Sequence, residues 1–290
     1  MNSPLVSILI SCYGQLNHTQ KCLKQINLSL EAEEIRYELL IIDDNSPDST
    51  ASYLRSLDPC IRTFFNQENR GYAKNNNRLG NEAKGDILCF LNNDVFVKGD
   101  WLRPMIEALS SYPNVGIVGN VQQLAGSSTY DHMGVVFSPQ GNPRHYGQGF
   151  RMNSFKGEVK EWSAVTAACC LMYRHDFLEL GGFDEMFVNG CEDVDFCLRL
   201  SAEGKCSVVV HDSVVEHVKS ASEGRKRFND QNFQILNKRW GVGIRRDQSV
   251  KDQKLHAITY FYRGFYKPFS TNLGKWIQSI LILIGVKKLK

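Results

Sequence analysis

Four short apolar runs, "LVSILISCY" (5–13), "YELLIIDD" (37–44), "IRTFFNQ" (61–67) and "DILCFLNND" (86–94), are separated by stretches of helical length at 17–33, 48–57 and 72–83. Parallel strands need long crossovers, so this alternation predicts βαβ units that build a mostly parallel sheet in an α/β fold. In such a sheet, ligands collect at the carboxyl ends of the strands. There the chain places Ser11 and Tyr13, then Asp43-Asp44-Asn45-Ser46, then Asn69-Arg70-Gly71, then Asn92-Asn93-Asp94. Four polar clusters share one edge.

The second half changes character. Residues 115–165 hold short strand-like runs among Gly, Pro and Ser, and "HMGVVFSPQGNPRHYGQGF" reads as an antiparallel hairpin or mobile loop. "WSAVTAACCLMYR" (162–174) reads as a buried strand, followed by the turn "LGGFDE" (180–185) and "NGCEDVDFCLRLSAEG" (189–204). In that last segment Val194, Cys197, Leu198 and Leu200 fall at helical spacing, and Glu192 and Asp193 occupy the first turn, where acids complement the helix dipole.

Each cluster has a bland alternative. "IIDDNSPDST" is also what a turn and a helix N-cap look like, Asp195 and Arg199 are spaced as an ordinary i, i+4 surface pair, and His217 in "VVEHVKSAS" reads equally as a satisfied histidine at a strand end. The Asn92-Asn93-Asp94 triplet is harder to dismiss. An acid and two amides at a sheet edge offer hard oxygen ligands for Mg²⁺ or Mn²⁺ held with a nucleoside diphosphate, whose oxygens and water complete the shell. Taken in order, the four clusters, the acidic helix start and the histidine make a site at which a diphosphate, a metal and a general base can converge.

The pieces "VSILISCYG", "LLIIDDNSPDST", "ENRGYAKNNNRL", "GDILCFLNNDVFV", "LGGFDEMFVNGCEDVDFCLRL" and "HVKSAS" stand here in the order of the family-2 glycosyltransferases, and over roughly residues 5–240 the chain resembles that family. The likeness is to its rhamnosyltransferase-like, polysaccharide-building branch. The resemblance implies a GT-A, Rossmann-like fold and an inverting, metal-dependent transfer from a UDP-, dTDP- or GDP-sugar. It implies that Ser11 and Asp44 contact the base and ribose of the donor, with Tyr13, Asn69 and Arg70 beside them. It lays the family's D-x-D over Asn92-Asn93-Asp94, so Asp94 becomes the metal ligand and Asn92 and Asn93 partners of ribose or diphosphate. Asn92 replaces the first acid, a departure that puts metal strength in question. His217 resembles the family histidine that joins the metal or diphosphate. Asp193 matches the general base, with Glu192 as fallback or acceptor-orienting group and Asp195 as helix support. Trp162, Thr166 and Ala167 are acceptor-side candidates. The nearest text to the Q-x-x-R-W of processive synthases is "QILNKRW", with Gln234 too far from Arg239-Trp240, so transfer of one sugar per encounter is expected.

A length of 290 residues with 42% hydrophobic content supports a substantial core. The reading divides it into a transferase domain at 1–240, with a nucleotide half (1–115) and an acceptor half (116–240), and a basic helical extension at 241–290. Residues 219–290 hold 16 Lys and Arg against 4 Asp and Glu, which leaves 18 against 27 upstream, so the tail is about +12 and the body about −9. An acidic body excludes a nucleic-acid groove, and a basic tail suits an anionic membrane surface. "NLGKWIQSILILIGVKKLK" (272–290) has only about ten mostly apolar positions, too few for a spanning helix of ~20. It suits an interfacial anchor with Ile277, Ile280, Leu281 and Ile284 on one face, Trp276 at its edge and Lys287, Lys288 and Lys290 following, or else a helix that packs on the body or on a second copy in a homodimer. Nine cysteines with no C-x-x-C pair, and "MNSPLVSILISCY" without a basic n-region or cleavage site, predict free thiols and a cytoplasmic protein on the inner membrane face. The acceptor expected there is a glycan or lipid-linked glycan. The rivals are a nucleotidyltransferase, for which a second acidic metal cluster and basic triphosphate contacts are missing, and a carbohydrate-binding scaffold without turnover.

Overall fold

The computed structural model describes residues 5–33, 35–152, 157–218, 227–247 and 249–287. Strand and helix alternate from the start: β1 (Val6–Cys12), α1 (Leu16–Glu33), β2 (Tyr37–Asp43), α2 (Thr50–Arg55), β3 (Arg62–Phe65), α3 (Tyr72–Glu82) and β4 (Ile87–Leu91). β1 lies between β2 and β4, and β2 carries β3, all parallel. Helices cover both faces of a parallel sheet, which is why β4 reads as an unbroken apolar run and is buried along its whole length. Side-chain alternation divides the core in two: Leu9 packs with Leu40 and Phe90 on one face, while Ile8 and Ile10 pack with Ile41 and Trp101 on the other.

The chain continues through β5 (Val95–Val97), α4 (Arg103–Ser111), β6 (Val115–Leu124), β7 (Tyr130–His132), β8 (Val135–Phe137), β9 (Pro143–His145), β10 (Val159–Trp162), β11 (Cys169–Tyr173), α5 (Arg174–Glu179), α6 (Glu192–Ala202) and β12 (Cys206–His217). The resulting sheet runs β10-β12-β6-β11-β4-β1-β2-β3, with β5 paired to β12 and β7 to β6. β11 enters antiparallel between β4 and β6, and β12 then runs parallel to β6. The expected strand at 162–174 is confined to Cys169–Tyr173, because the backbone before it bends away to make an isolated bridge from Ala164 to Val135. The hairpin expected around residue 140 is β8–β9.

Two features of β12 matter for the site. Its register on β6 jumps from Val210 opposite Asn120 to Val214 opposite Val121, so residues 211–213 are accommodated as a bulge. Beyond the bulge it pairs with β5, which sets His217 opposite Val95.

Three helices follow: α7 (Asn229–Asp247), α8 (Ser249–Tyr266) and α9 (Leu273–Leu283). α8 is pinned to the body by Asp252, which accepts from the Phe137 amide at 2.9 Å and the Ser163 hydroxyl at 2.7 Å. α9 is tied to α8 by Trp276, whose indole stacks on Phe261 at 8° and donates to the Phe261 carbonyl at 2.9 Å. Trp276 therefore faces protein, while Leu273, Ile277 and Ile284 remain exposed. No helix among the described residues is long and apolar enough to cross a membrane. All nine cysteines are free thiols, and only Cys60 is exposed. Lys288 and Lys290 lie outside the described residues.

Candidate functional site

The carboxyl ends of β1, β2 and β4 open onto a cleft of about 540 Å³, closed on its far side by the start of α6 and the first turn of α7. Ser11, Tyr13, Asp44, Asn69, Asn92, Asn93, Asp94, Glu192 and Asp193 all line it, as do Thr166 and Ala167. Three predicted residues do not. Arg70 extends into solvent, 3.8 Å from the Glu68 carboxylate. Trp162 is a core residue whose ring lies 4.9 Å from that of Tyr146. His217 is buried behind Asp94.

The Asp94–His217 approach follows from the sheet. β4 ends at Leu91, a tight turn over Asn92–Asp94 leads into β5, and β5 pairs with the end of β12, where the Val218 amide donates to the Asp94 carbonyl at 3.1 Å. The His217 Nε2 then sits 3.5 Å from Asp94 Oδ1, beyond a good hydrogen bond, and Nε2 is buried without one. On the other side of the ring, Nδ1 lies 3.2 Å from Asp131 Oδ2. With a proton held on Nδ1 by Asp131, a neutral His217 would turn its Nε2 lone pair toward Asp94, as a second-shell acid does when it orients a metal-binding histidine. Burial alone would push the His217 pKa down, but the carboxylates of Asp131 and Asp94 outweigh it and raise it above 6.5. Among the described residues no three acidic, His or Cys side chains form a ready-made metal cage. The orphaned Nε2 beside one carboxylate fits a divalent ion that takes its remaining ligands from a substrate diphosphate and water.

Across the cleft, Cys191 adopts φ +72°, a left-handed conformation that turns the chain abruptly into α6. This delivers both acids of the first turn to the cleft wall. Asp193 is half-buried and braced twice, accepting from the Ala167 amide at 3.0 Å on Oδ2 and from the Val194 amide at 2.8 Å on Oδ1. These two amide bonds fix the direction in which the carboxylate faces. Glu192 is more deeply buried, with Oε2 accepting from the Gly190 amide at 2.6 Å. Asp195 points away from the cleft and is completely buried: it accepts from Arg199 at 2.9 Å, Arg239 at 2.7 Å and the Trp240 indole at 2.8 Å. The i, i+4 pair is therefore interior, and it clamps α7 to α6.

The β1–β2 side of the cleft is a buried polar chain. Asn75 donates to Ser11 Oγ at 3.0 Å and accepts from Asn66 at 2.7 Å, while Asn66 also donates to Asp44 at 2.8 Å. Asp44 further accepts from the amides of Arg70 at 2.8 Å and Gly71 at 2.9 Å, so it shapes the turn after β3 as well as facing the cleft. Arg70 thus contributes its backbone. Gly71, at φ +81°, sets the start of α3, where a side chain would be strained. The Asn93 amide donates to Thr19 Oγ1 at 2.9 Å and ties the triplet to α1.

Asp131, Asn66 and Asn75 were not singled out in the sequence. Asn75 lies within the quoted "NRGYAKNNNRL", but only the fold separates it from its neighbours. Asp131 lies in the three-residue β7, where no periodicity can mark it. The motif "HVKSAS" lies outside the described residues after Val218.

The sequence profile described as Glycosyl transferase family 2 matches residues 7–181. The chain is 32% identical over 195 residues to the O-antigen biosynthesis protein RfbC of Myxococcus xanthus, covering 64% of this chain but only 15% of that protein's length. It is 26% identical over 245 residues to an N-acetylglucosaminyl-diphospho-decaprenol L-rhamnosyltransferase of Mycobacterium tuberculosis, covering 77% of this chain and 78% of the other. Among solved structures, the mannosyltransferase PcManGT of Pyrobaculum calidifontis, in complex with GDP-Man and Mn²⁺, superimposes with a TM-score of 0.62 at 15% identity, over 99% of this chain and 89% of that one. That likeness is one of fold, GT-A.

Proposed function

Because the chain belongs to glycosyl transferase family 2, we propose that it transfers one sugar, with inversion, from a nucleotide-diphosphate sugar to a hydroxyl of a glycan or lipid-linked glycan in surface-polysaccharide assembly. The observation that carries this is the single cleft onto which Asp94 and Asp193 both open, with His217 seated behind Asp94. The relatives named for O-antigen synthesis and for rhamnosyl transfer to a diphospho-decaprenol acceptor favour a lipid-linked acceptor.

Asp94 and His217 would hold Mg²⁺ or Mn²⁺. When bound, the ion neutralises charge on the departing diphosphate. The protein's own residues do the rest. Asp193, held by two amides, takes the proton of the acceptor hydroxyl as that oxygen attacks the anomeric carbon. The carbon–oxygen bond to the diphosphate breaks on the opposite face, its electron pair leaving with the phosphate, and the configuration inverts. A positioned base of this kind contributes ~10²–10⁴-fold. Glu192, more buried and bound to the Gly190 amide, shapes the loop beside the acceptor.

The exposed apolar residues Leu273, Ile277 and Ile284, with Lys275 and Lys287 near them, support a peripheral seat on an anionic membrane. The direct test is a donor-library assay that reads release of UDP, dTDP or GDP in the presence of acceptor sugars and Mn²⁺. Asp193→Asn should bind nucleotide normally and lose turnover by 10²-fold or more. Normal turnover in that variant removes Asp193 as the base, and binding without release for every donor, metal and acceptor combination replaces transfer with a scaffold role.

A further inference from the structure

A second cavity, of about 300 Å³, lies between the β8–β9 hairpin and helices α8 and α9. Its wall includes Arg144, Arg263, Lys275, His145 and His256, and among the described residues no Asp or Glu lines it. The Nε of Arg263 is buried without a hydrogen-bond partner. Arg144 lies over the Phe233 ring at 5.4 Å and donates to a neighbouring carbonyl, that of Pro143, at 2.8 Å. Burial first, and then the like charges of Arg144 and Lys275, push the His256 pKa down from 6.5 to about 4. Cations gathered round a hole with no carboxylate among them are matched by a multivalent anion, and phosphate oxygens suit the fork of an arginine.

This cavity adjoins the cleft across β9: Pro143 and His145 line the cleft, while Arg144 and His145 line the second cavity. Phe233, under Arg144, also belongs to the cleft wall. On its far side the cavity reaches Ile282 of α9, next to the exposed Ile284. A sugar acceptor in the cleft, its phosphates behind β9 and an apolar tail leaving over α9 would meet matching chemistry at each point.

We propose that the cavity bounded by Arg144, Arg263 and Lys275 binds the diphosphate of a lipid-diphosphate-linked acceptor while its sugar occupies the cleft. This rests on the transferase reading above and names the class of its acceptor. Anion binding can nevertheless be read without turnover.

In calorimetric titration of inorganic pyrophosphate into the full chain in EDTA, the double variant Arg263→Gln/Lys275→Gln should lose at least 10-fold in affinity, and Asp94→Asn should not. Binding that appears only when Mn²⁺ replaces EDTA, and is then lost in Asp94→Asn, would place the anion in the donor cleft and overturn the proposal, as would equal affinity of the parent and the double variant in EDTA. Arg263→Lys with Lys275 kept should restore most of the binding, and thermal melts matching the parent confirm that the variants are folded. In transfer assays the double variant should lose at least 10-fold in kcat/KM for a polyprenyl-diphosphate-linked sugar and nothing for an alkyl glycoside of the same sugar. Equal losses on both acceptors overturn the proposal. Vesicles containing phosphatidylglycerol separate headgroup binding from acceptor binding: loss of vesicle binding with pyrophosphate affinity intact would assign these cations to the membrane and overturn it. If no acceptor supports nucleotide release while pyrophosphate binding behaves as expected, the transferase reading fails and the anion cavity stands.

Discussion

Asp131 touches no ligand, yet the geometry makes it the residue on which the histidine's behaviour turns. Its Oδ2 lies 3.2 Å from His217 Nδ1 and its Oδ1 accepts from Gln148 at 3.0 Å, with the carboxylate only 2% exposed. Asp131→Asn keeps the shape, removes the charge and leaves one oxygen for two donors. Outer-shell acids of this kind typically change metal affinity by about 10–100-fold, which is roughly 1.4–2.7 kcal/mol. The unmatched donor costs roughly another 1–3 kcal/mol of fold stability. Mn²⁺ titration followed by electron paramagnetic resonance, with UDP saturating, should show half-saturation moved up about 10–100-fold, and excess Mn²⁺ should recover most of the turnover. Asp94→Ala should not be rescued in this way, because on the proposed reading it would remove a ligand rather than its support. A half-saturation point for Asp131→Asn within about two-fold of the parent, in a protein that melts normally, would show that Asp131 does not orient His217 for a metal.

Asp195→Ala removes the buried carboxylate shared by Arg199, Arg239 and the Trp240 indole and leaves the indole unmatched, while Asp184 still holds Arg239 and the Leu180 and Gly182 carbonyls still hold Arg199. Breaking a buried pair by removing one partner costs roughly 3–5 kcal/mol, which urea denaturation should read as a lower midpoint; a loss below about 1 kcal/mol would mean the clamp between α6 and α7 is idle. Burial raises the Asp252 pKa above 3.8 despite the opposing Ser163 and Phe137 donors. The folded chain thus keeps a proton that the unfolded chain has lost, and the residue's contribution to stability falls as pH climbs above 3.8. Asp252→Asn should accordingly gain stability over the parent at pH 7 relative to pH 4 in paired urea melts, and the opposite ordering would refute the buried-charge account. Deleting residues 272–290 should release the protein from anionic vesicles, and undiminished binding would reject the membrane seat.

Much of the first half of the chain could be read in advance because its pattern is local. Each strand of the β3-β2-β1-β4 set is an apolar run of ordinary length, and each ends in turn-forming polar residues that the parallel topology must place on one edge. The acids of α6 were legible for the same reason, since helix starts attract carboxylates. What escaped was set by pairing between distant segments. Asp131 reaches His217 only because β7 and β12 both pair with β6, and a three-residue strand leaves no trace in hydropathy. Arg70 looked like a side-chain ligand, but its amide is what Asp44 uses. Arg239 and Trp240 were judged against a processive motif, whereas their partner is Asp195, more than forty residues away.

The jump in β12 has a consequence for how this strand can change length over evolutionary time. Residues 211–213 fall outside the backbone register with β6, although Asn120 of β6 donates to Ser213 Oγ at 3.4 Å and the His211 amide donates to the Glu158 carbonyl, so a change of length there leaves the paired register on either side in place. From Val214 onward the strand is phased by two neighbours at once, and an odd insertion would exchange the sides on which Glu216 and His217 emerge. Indels tolerated by folding at either place should be tolerated by the chemistry only at the first.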